Sequence, residues 1–509
     1  IIPGERLLYM RLDELVSRLE ILRIYAPGRK GSGIPCCAVT AISCNSREIQ
    51  RDAVFVAVKG AQTDGHAFIQ DALRRGARAI VFDNGRRVEP LVNGRTEGEG
   101  EAVLIQVADS RRALVALAEA FYGYPSKALS VTGITGTNGK TTISYLIEAI
   151  VRQAGGNPAV IGTVNYRYND RVIESVNTTP GPVQLQRLFR EMADGNVTHL
   201  AMEVSSHALD QDRVAGICFS SAIFTNLTQD HLDYHNGLED YFRAKAKLFA
   251  GLESGAYAVI NLDDQYGRRL VQSGRGKVVT YGLDAAAQIS ARDIVMDTDH
   301  TQFMLCGCDQ PVVMKTPLIG RHNVYNVLAA AAWALQSGIP AAAIKNALER
   351  FTAVPGRLER IDGRGGVRIF VDYAHTPDAL SNVINTLRPI AARKIIVVFG
   401  CGGDRDRTKR PVMGKVVAEL SDHAVITSDN PRSEDPGEII EDITRGISKT
   451  NYTVVPDRTA AIRTALSMGG EGDVVLIAGK GHETYQIMKD EVLHFDDREV
   501  VRECLRSLN

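Results

Sequence analysis

A glycine-rich segment ending in Gly-Lys-Thr carries the clearest chemistry in the sequence. Residues 131–142 read Val-Thr-Gly-Ile-Thr-Gly-Thr-Asn-Gly-Lys-Thr-Thr, which is typical of an apolar strand, a loop and the start of a helix. We expect N–H groups near Gly133, Gly136 and Gly139 to converge on phosphate oxygens at the positive end of that helix. Lys140 can reach the β- and γ-phosphates, and the Thr141 hydroxyl can hold Mg²⁺. The segment therefore predicts a nucleoside triphosphate site formed by Gly136, Thr137, Asn138, Gly139, Lys140, Thr141 and Thr142.

The loop departs from the general phosphate-binding pattern at one position. That pattern has a glycine five residues before Gly139, where this chain has Ile134. A glycine-rich turn beside an unrelated lysine is the alternative interpretation. The strand before the loop and the helix after it favour the nucleotide site.

Acidic and imidazole side chains downstream of the loop are suited to a divalent cation. Glu203 ends an apolar run, and Asp230, His231 and Asp233 lie in one short turn. Such side chains can gather around a cation next to bound phosphates. From the residues alone, a helix cap or a surface polar group explains each of them equally well.

Two lysines lie on a predicted helix at 241–249. Lys245 and Lys247 are two residues apart, so they project from different faces of the helix. At most one of them can enter the site. A solvated helix face is the usual interpretation of such a pair.

Composition limits the class of protein. The 509 residues carry a net charge of −1, with 44% hydrophobic and 23% charged residues, a balance typical of about three globular domains of ~150 residues. The charge argues against a nucleic-acid or membrane-surface partner. No apolar stretch of ~18 residues predicts a membrane span. The eight cysteines form no C-x-x-C pair and no secretion signal is evident, so we expect reduced thiols in a cytoplasmic enzyme.

Alternating apolar runs and helical stretches predict an α/β protein of three domains. Strands at 369–371, 394–399, 423–426 and 473–478 alternate with helices in the last part, and 288–315 predicts an antiparallel excursion. Polar residues that follow parallel strands are expected at the ligand-binding edge of a sheet. The predicted domains are 1–126, 127–352 and 353–509.

The nucleotide loop is one of several motifs that extend along nearly the whole chain. They are Thr135-Gly-Thr-Asn-Gly-Lys-Thr-Thr142, Glu203-Val-Ser-Ser-His207, Asp230-His-Leu-Asp-Tyr-His235, Ala244-Lys245 with Leu248-Phe249, Gly320-Arg-His-Asn-Val-Tyr-Asn326, Pro355-Gly-Arg357 and Asp372-Tyr-Ala-His-Thr-Pro377. Together they resemble the Mur ligases, ATP-dependent enzymes that form amide bonds of the peptidoglycan stem peptide. The resemblance implies a small N-terminal α/β domain that binds UDP, a central P-loop ATPase-type parallel-sheet domain and a C-terminal Rossmann-like α/β domain.

The resemblance also implies the catalytic groups. It places a CO₂-carboxylated lysine at Lys245, whose carbamate helps to hold the second of two Mg²⁺ ions. Glu203 and His231 match the other magnesium ligands, and Lys140 completes the expected catalytic set. Base roles for His207 and His375 stay open, since structural histidines are at least as good an interpretation. Further ATP contacts are expected at Asn323, Asn326, Arg357 and Asp372.

Within the family, the chain is most similar to the members that add the third residue of the stem peptide. The implied acceptor is UDP-N-acetylmuramoyl-L-alanyl-D-glutamate, whose γ-carboxylate ATP would phosphorylate before an amine attacks it. We expect contacts to this substrate at Ser43, Ser46, His66, Asn177, Thr178, Thr179, Ser205, Gln211 and Arg213. Each of these side chains is also able to cap a turn.

The identity of the added amino acid depends on Asp429-Asn-Pro-Arg432. In the family this motif accompanies meso-diaminopimelate, and lysine-adding relatives lack the arginine. Diaminopimelate has one carboxylate more than lysine, and a guanidinium binds carboxylates in bidentate fashion. A site built around such a contact discriminates on the order of 10⁴-fold. The expected diaminopimelate site is Arg405, Asp429, Asn430, Arg432, Gly479 and Glu483.

Other functions remain as alternatives. A lysine-adding ligase of the same family is the nearest, while the N-terminal domain and residues 429–432 argue against a folylpolyglutamate synthetase. A P-loop ATPase that acts as a switch would hydrolyse ATP without an amino acid. We expect a monomer whose partners are small-molecule substrates.

Overall fold

Three large β-sheets organise the part of the chain that the computed structural model describes, which is residues 9–25, 34–60, 63–83, 102–231, 234–284, 286–297, 299–363, 365–489 and 491–507. Each sheet carries helices on its faces, as three α/β units require. The domain limits at 126 and 352 stay predictions.

The N-terminal sheet is small and mostly parallel. Its region contains β1 (Met10–Arg11), α1 (Leu12–Val16), β2 (Ile21–Tyr25), β3 (Ala38–Val39), β4 (Ile42–Ser43), β5 (Val54–Val56), α2 (Ile69–Arg74), β6 (Ala79–Asp83), β7 (Val103–Val107) and α3 (Ser110–Phe121). The five-stranded order is β2-β7-β6-β5-β4, with β2 antiparallel at one edge. Strands β1 and β3 form a separate antiparallel pair.

The central sheet has eleven strands in the described residues. The strands are β8 (Ser130–Thr135), β9 (Pro158–Ile161), β10 (Asn165–Tyr168), β11 (Arg171–Glu174), β12 (His199–Glu203), β13 (Phe219–Phe224), β14 (Tyr257–Asn261), β15 (Lys277–Gly282), β16 (Ile289–Met296), β17 (Thr301–Cys306) and β18 (Val312–Thr316). The helices are α4 (Lys140–Gln153), α5 (Pro182–Asp194), α6 (Ser206–Asp210), α7 (Leu238–Ala250), α8 (Gln265–Ser273), α9 (Arg321–Gln336) and α10 (Ala341–Glu349).

The order of this sheet is β11-β10-β9-β12-β8-β13-β14-β15-β16-β17-β18. Strands β9, β12, β8, β13, β14 and β15 are parallel, and β16 to β18 form the antiparallel excursion predicted at 288–315. Register aligns Glu203 with Ile134 and Phe224 with Thr135. Since parallel strands end at the same edge, the nucleotide loop and the segments after Glu203 and Phe224 meet there.

The C-terminal sheet has six strands, parallel except at one edge. Its region contains β19 (Glu359–Asp362), β20 (Arg368–Asp372), α11 (Pro377–Leu387), β21 (Ile395–Phe399), α12 (Lys409–Leu420), β22 (His423–Ile426), α13 (Pro436–Thr444), β23 (Tyr452–Val454), α14 (Arg458–Met468), β24 (Val474–Ala478), β25 (Tyr485–Met488), β26 (Glu491–His494) and α15 (Asp497–Ser507). The order is β19-β20-β24-β21-β22-β23, and β25 pairs with β26. The four strands predicted for this region are present as β20, β21, β22 and β24.

Each sheet separates two layers of buried apolar side chains, so strands such as β21 are apolar on both faces. Among the described residues, no helix combines the length and the apolar character that crossing a membrane requires.

Candidate active site between the central and C-terminal domains

The phosphate-binding loop follows β8 and ends where α4 begins at Lys140. Lys140 Nζ donates hydrogen bonds to the carbonyls of Gly136 (2.9 Å) and Thr137 (2.8 Å), so the ammonium group lies against the loop. The segment that follows β13 stabilises the loop, because Asn226 Oδ1 accepts the N–H of Asn138 at 2.9 Å. This arrangement presents backbone N–H groups and a lysine to an anion, as a triphosphate site requires.

The glycines of this segment have different roles. Gly136 and Gly139 have positive φ angles of 147° and 93°, and a Cβ there would lie 1.8 Å from Thr225 Oγ1 and 2.4 Å from Asn326 Oδ1 respectively. Gly133, which we expected near the phosphates, lies inside β8, where a Cβ would come within 2.9 Å of the Phe219 ring. That part of the prediction is wrong, because sheet packing explains Gly133.

A buried carboxylate lies next to the start of α4. Glu203 Oε2 accepts hydrogen bonds from Thr141 Oγ1 (3.1 Å) and Thr163 Oγ1 (2.9 Å), and Oε1 accepts the N–H of Thr163 (3.0 Å). Glu203 is only 1% exposed, and these donors are all neutral. An anionic oxygen beside a threonine hydroxyl is a ligand set that suits Mg²⁺.

Helix α7 points one lysine inward and the other outward. Lys245 is 1% exposed, donates to the Gly136 carbonyl at 2.8 Å and lies over the Tyr241 ring. Burial, together with the nearby Lys140 ammonium, lowers the pKa of Lys245 well below its usual value. Lys247 lies on the exposed face, with its Nζ 3.4 Å from Asp210 Oδ1.

His231 also lies near the Tyr241 ring, 6.1 Å between ring centroids, and its backbone is in the left-handed region with φ of 55°. Burial lowers the pKa of His231 to about 4, so its imidazole is neutral at neutral pH and able to bind a metal. Its ring lies 4.9 Å from that of His207. Asp233 lies outside the described residues. Among the residues described, no group of three His, Cys, Asp or Glu side chains is arranged to hold a metal by itself.

A cavity of about 240 Å³ extends from the phosphate-binding loop to the C-terminal domain. Arg357 Nη2 donates to Thr141 Oγ1 at 3.3 Å, and Asp372 accepts the N–H groups of Leu358 (2.6 Å) and Ala374 (2.8 Å). The predicted nucleotide and metal residues that line the cavity are Thr137, Asn138, Gly139, Lys140, Thr141, Thr142, Glu203, His231, Lys245, Asn323, Asn326, Arg357 and Asp372.

A second and larger cavity of about 700 Å³ lies between the C-terminal domain and the central domain, whose Asn177, Thr178 and Asp230 also line it. Its wall on the C-terminal side carries two arginines and an acidic end. The structure brings together here all six residues that we expected to bind diaminopimelate, which are Arg405, Asp429, Asn430, Arg432, Gly479 and Glu483.

The acidic end of this cavity is a hydrogen-bonded group around Asn430. Asn430 Nδ2 donates to Glu483 Oε2 at 2.8 Å, and Asn430 Oδ1 accepts from Lys480 Nζ at 3.0 Å. Burial and the neighbouring Asp429 carboxylate raise the pKa of Glu483. Lys480 is fully buried beneath the group, and sequence reasoning assigned it no role although it lies in the Gly479–Glu483 motif. The missed signal was a lysine between two glycines, three residues before Glu483.

The two cavities meet. Both are lined by Thr178, Asp230, His231, Tyr373, His375 and Thr376. A group bound at this junction is therefore accessible both from the phosphate-binding loop and from the amino-acid end. His375 donates from Nδ1 to the Tyr373 carbonyl (2.8 Å), and burial lowers its pKa.

The residues expected to hold the muramoyl-dipeptide divide into two groups. Asn177 and Thr178 line the larger cavity, and Thr178 and Ser205 line the smaller one. Thr179 and Arg213 stabilise the local chain instead: Thr179 Oγ1 donates to the Glu203 carbonyl at 2.9 Å, and Arg213 donates to Gln211 Oε1 and to the Thr179 carbonyl. Of the predicted set, Thr179, Gln211 and Arg213 line neither cavity.

Three of the nine residues expected to contact the acceptor, Ser43, Ser46 and His66, lie in the N-terminal domain that the resemblance assigns to UDP, and they line neither cavity. Ser43 donates to Glu48 Oε2 at 2.8 Å, Ser46 is buried, and His66 Nδ1 lies 2.7 Å from Asp64 Oδ1. The buried His66 Nε2 has no hydrogen-bond partner among the described residues and lies 3.5 Å from Asp83 Oδ1. Binding of UDP by these residues stays a prediction.

Comparison with known proteins agrees with this geometry. The chain matches the Mur ligase middle domain at residues 134–334, the Mur ligase glutamate ligase domain at 356–481 and the Mur ligase family catalytic domain at 38–122. It is 45% identical, over 98% of its length and 99% of the relative's, to a UDP-N-acetylmuramoyl-L-alanyl-D-glutamate–2,6-diaminopimelate ligase of Solibacter usitatus (strain Ellin6076). A protein of the same name from Geobacillus thermodenitrificans (strain NG80-2) is 44% identical over 98% of this chain and all of the relative.

Solved structures show the same relationship. A structure of a UDP-N-acetylmuramoyl-L-alanyl-D-glutamate–2,6-diaminopimelate ligase superposes with a TM-score of 0.65 and 32% identity, covering 94% of this chain and 97% of the other. Folylpolyglutamate synthase of Mycobacterium tuberculosis, at 18% identity, a TM-score of 0.61 and 72% and 92% coverage, shares the fold alone. By its sequence and its structure, this chain belongs to the Mur ligase family.

Proposed function

We propose that this chain joins meso-diaminopimelate to the D-glutamyl γ-carboxylate of UDP-N-acetylmuramoyl-L-alanyl-D-glutamate, with ATP converted to ADP and phosphate, in peptidoglycan precursor synthesis. The observation that carries the proposal is the junction of the nucleotide cavity with a cavity that holds two arginines and an acidic end. The names of the relatives agree with it. Because the substrates are a nucleotide-linked precursor and ATP, we also propose a cytoplasmic location.

The reaction needs no protein nucleophile. The γ-phosphoryl group of ATP passes to the D-glutamyl carboxylate, which forms an acyl phosphate and leaves ADP. The diaminopimelate amine attacks the acyl carbon, and the tetrahedral intermediate releases phosphate and a proton. The protein therefore has to position three substrates and neutralise negative charge. Lys140, which now bonds to carbonyls of its own loop, would turn to the phosphates.

Two Mg²⁺ ions fit the donors near the loop, since Thr141 and the buried Glu203 provide hard oxygen ligands and His231 a neutral nitrogen. We propose that Lys245, as a carbamate, completes this set. Bound there, the ions would neutralise charge on the phosphoryl group. A carbamate would also replace the repulsion between the Lys245 and Lys140 ammonium groups by attraction.

The larger cavity matches the charges of diaminopimelate. An amino acid with a carboxylate and an ammonium at each end would place carboxylates at Arg405 and Arg432, and an ammonium at Glu483 and Asp429. Lysine would leave one guanidinium unpaired. We propose that Arg432 receives the carboxylate that lysine lacks.

The test is ATP-dependent phosphate release with the UDP-linked acceptor, run with meso-diaminopimelate and with L-lysine. We expect turnover with diaminopimelate only, and its loss in Arg432→Lys, because an ammonium group does not reproduce the bidentate contact. Arg463→Lys, at an exposed residue of α14, is the matched control.

Two results would contradict the proposal. Equal turnover of lysine would keep the ligase reaction but overturn the selectivity assigned to Arg432. Phosphate release that ignores both amino acids would support the ATPase switch.

A further inference from the structure

The two arginines of the larger cavity come from different loops. Arg405 lies in the loop after β21, at 400–408, and Arg432 in the loop after β22, at 427–435. This inference rests on the proposed function. If that function holds, both guanidinium groups must bind carboxylates of the same amino-acid substrate. The separation of the two loops then determines which amino acid fits.

Glu434 joins these loops without entering the cavity. Its Oε1 accepts the N–H of Asp404 at 2.6 Å and Arg410 Nη2 at 2.7 Å, and its Oε2 accepts Arg410 Nη1 at 2.9 Å. Arg410 is fully buried and also donates to the Gly402 carbonyl at 3.3 Å. One carboxylate therefore binds the residue before Arg405 and the arginine that supports the same loop.

The loops have little freedom to move separately. Gly403 N–H donates to the Asn430 carbonyl at 2.9 Å, and Arg432 Nη1 donates to the Gly403 carbonyl at 2.9 Å. A Cβ on Gly403 would lie 1.9 Å from the Pro431 carbonyl. Asp404 is in the left-handed region with φ of 52°, so its orientation depends on these contacts. A shift at Asp404 would displace both guanidinium groups.

We propose that Glu434, held by Arg410, is a positioning residue that sets the selectivity for an amino acid with two carboxylates over an amino acid with one. It acts by fixing the spacing of Arg405 and Arg432. Neither Glu434 nor Arg410 lines the larger cavity, so neither touches the substrate directly.

Glu434→Gln tests the proposal with little change in volume. Glutamine has one acceptor oxygen, and its NH₂ group would face the Arg410 donors. We expect the KM for meso-diaminopimelate to rise about tenfold, and the ratio of kcat/KM for diaminopimelate to that for L-lysine to fall by a similar factor. The KM values for ATP and for the UDP-linked acceptor should be unchanged, because the hydrogen-bond partners of Glu434, Asp404 and Arg410, are not among the residues expected to bind them.

Two further variants make the result specific. Glu438→Gln, on an exposed residue in the first turn of α13, should behave as wild type. Ser433→Ala removes the 2.6 Å bond from Ser433 Oγ to Asp404 Oδ1 on the outside of the loops, and should shift selectivity in the same direction by less.

The outcomes separate the inference from the proposed function. Unchanged selectivity in Glu434→Gln would overturn the inference alone. A parallel rise of all three KM values with a lower melting temperature would also overturn it, because Glu434 would then only stabilise the domain. A wild-type protein that uses neither amino acid would overturn the proposed function and this inference together.

Discussion

At the scale of single residues, burial separates side chains that look alike in the sequence. Lys245 and Lys247 are both lysines on one helix, yet Lys245 is 1% exposed and the Lys247 side chain is 47% exposed. The depressed pKa of Lys245 raises the fraction of its neutral amine, and a neutral amine is the form that reacts with CO₂. Lys247 lies on the exposed face of the helix beside Asp210.

This difference leads to a prediction on CO₂. Removing dissolved CO₂ and bicarbonate from the wild-type enzyme should lower the rate of phosphate release severalfold, and added bicarbonate should restore it. Lys245→Ala should lose most activity and show no response to bicarbonate, because it cannot form a carbamate. The measurement is the initial rate in degassed buffer with and without bicarbonate.

Lys247→Ala is the matched control, since it removes a lysine from the other face of α7. It should keep both the activity and the response to bicarbonate. A wild-type rate that is independent of bicarbonate, with no added mass on Lys245, would contradict carboxylation.

At the scale of elements, a buried ion pair connects two helices with the strand ends that carry the amino-acid site. Arg458 in α14 donates to both carboxylate oxygens of Asp497 in α15 at 2.7 Å, and both side chains are fully buried. Arg458 also donates to the carbonyls of Ser428 (3.4 Å) and Ala478 (3.0 Å), which immediately precede Asp429 and Gly479. The ion pair thus binds the backbone immediately before Asp429 and Gly479, two residues that line the larger cavity.

Asp497→Asn should therefore lower the free energy of unfolding. It leaves the buried Arg458 guanidinium without its counter-ion, and breaking one side of a buried pair lowers the free energy of unfolding by about 3–5 kcal/mol. Urea denaturation with the midpoint followed by circular dichroism measures this change. Glu503→Gln, on an exposed residue of the same helix, should leave the midpoint unchanged. An Asp497→Asn midpoint equal to that of wild type would show that the pair is not needed for stability.

At the scale of the whole molecule, the C-terminal domain contacts the phosphate-binding loop directly. Asp378 Oδ2, in the first turn of α11, accepts from Asn138 Nδ2 at 3.3 Å and from Thr228 Oγ1 at 3.2 Å. Arg357 adds its bond to Thr141. Since ATP would lie among residues of both domains, these contacts are expected to accompany closure of the C-terminal domain.

Asp378→Ala should weaken this closure. Loss of a charged acceptor shared by two donors should lower kcat/KM for ATP by about tenfold, since a bond to a charged group contributes about 1.5 kcal/mol or more. X-ray scattering with bound nucleotide should show a larger radius of gyration than for wild type. Asp362→Ala, a highly exposed position of the same domain, should change neither quantity. Wild-type kinetics and dimensions in Asp378→Ala would contradict the role in closure.

The sequence by itself determined the features that depend on adjacent residues. The phosphate-binding loop, the strands and the Asp429–Arg432 motif are contiguous, and their local patterns predict their structure because backbone conformation follows neighbouring side chains. Resemblance to the family extended this to the residues of both cavities. The local loop pattern misplaced Gly133, because close packing against Phe219 comes from a strand far along the chain.

Only the tertiary structure decided which distant groups touch. The bonds of Glu434 to Asp404 and Arg410, and the burial of Arg458 with Asp497, join segments 24 to 39 residues apart. A hydrogen bond requires its atoms to lie within about 3 Å, and that distance is set by how strands and helices pack. Most residues that line the two cavities could be named from the chain, whereas the residues that hold them in position became visible only in the folded molecule.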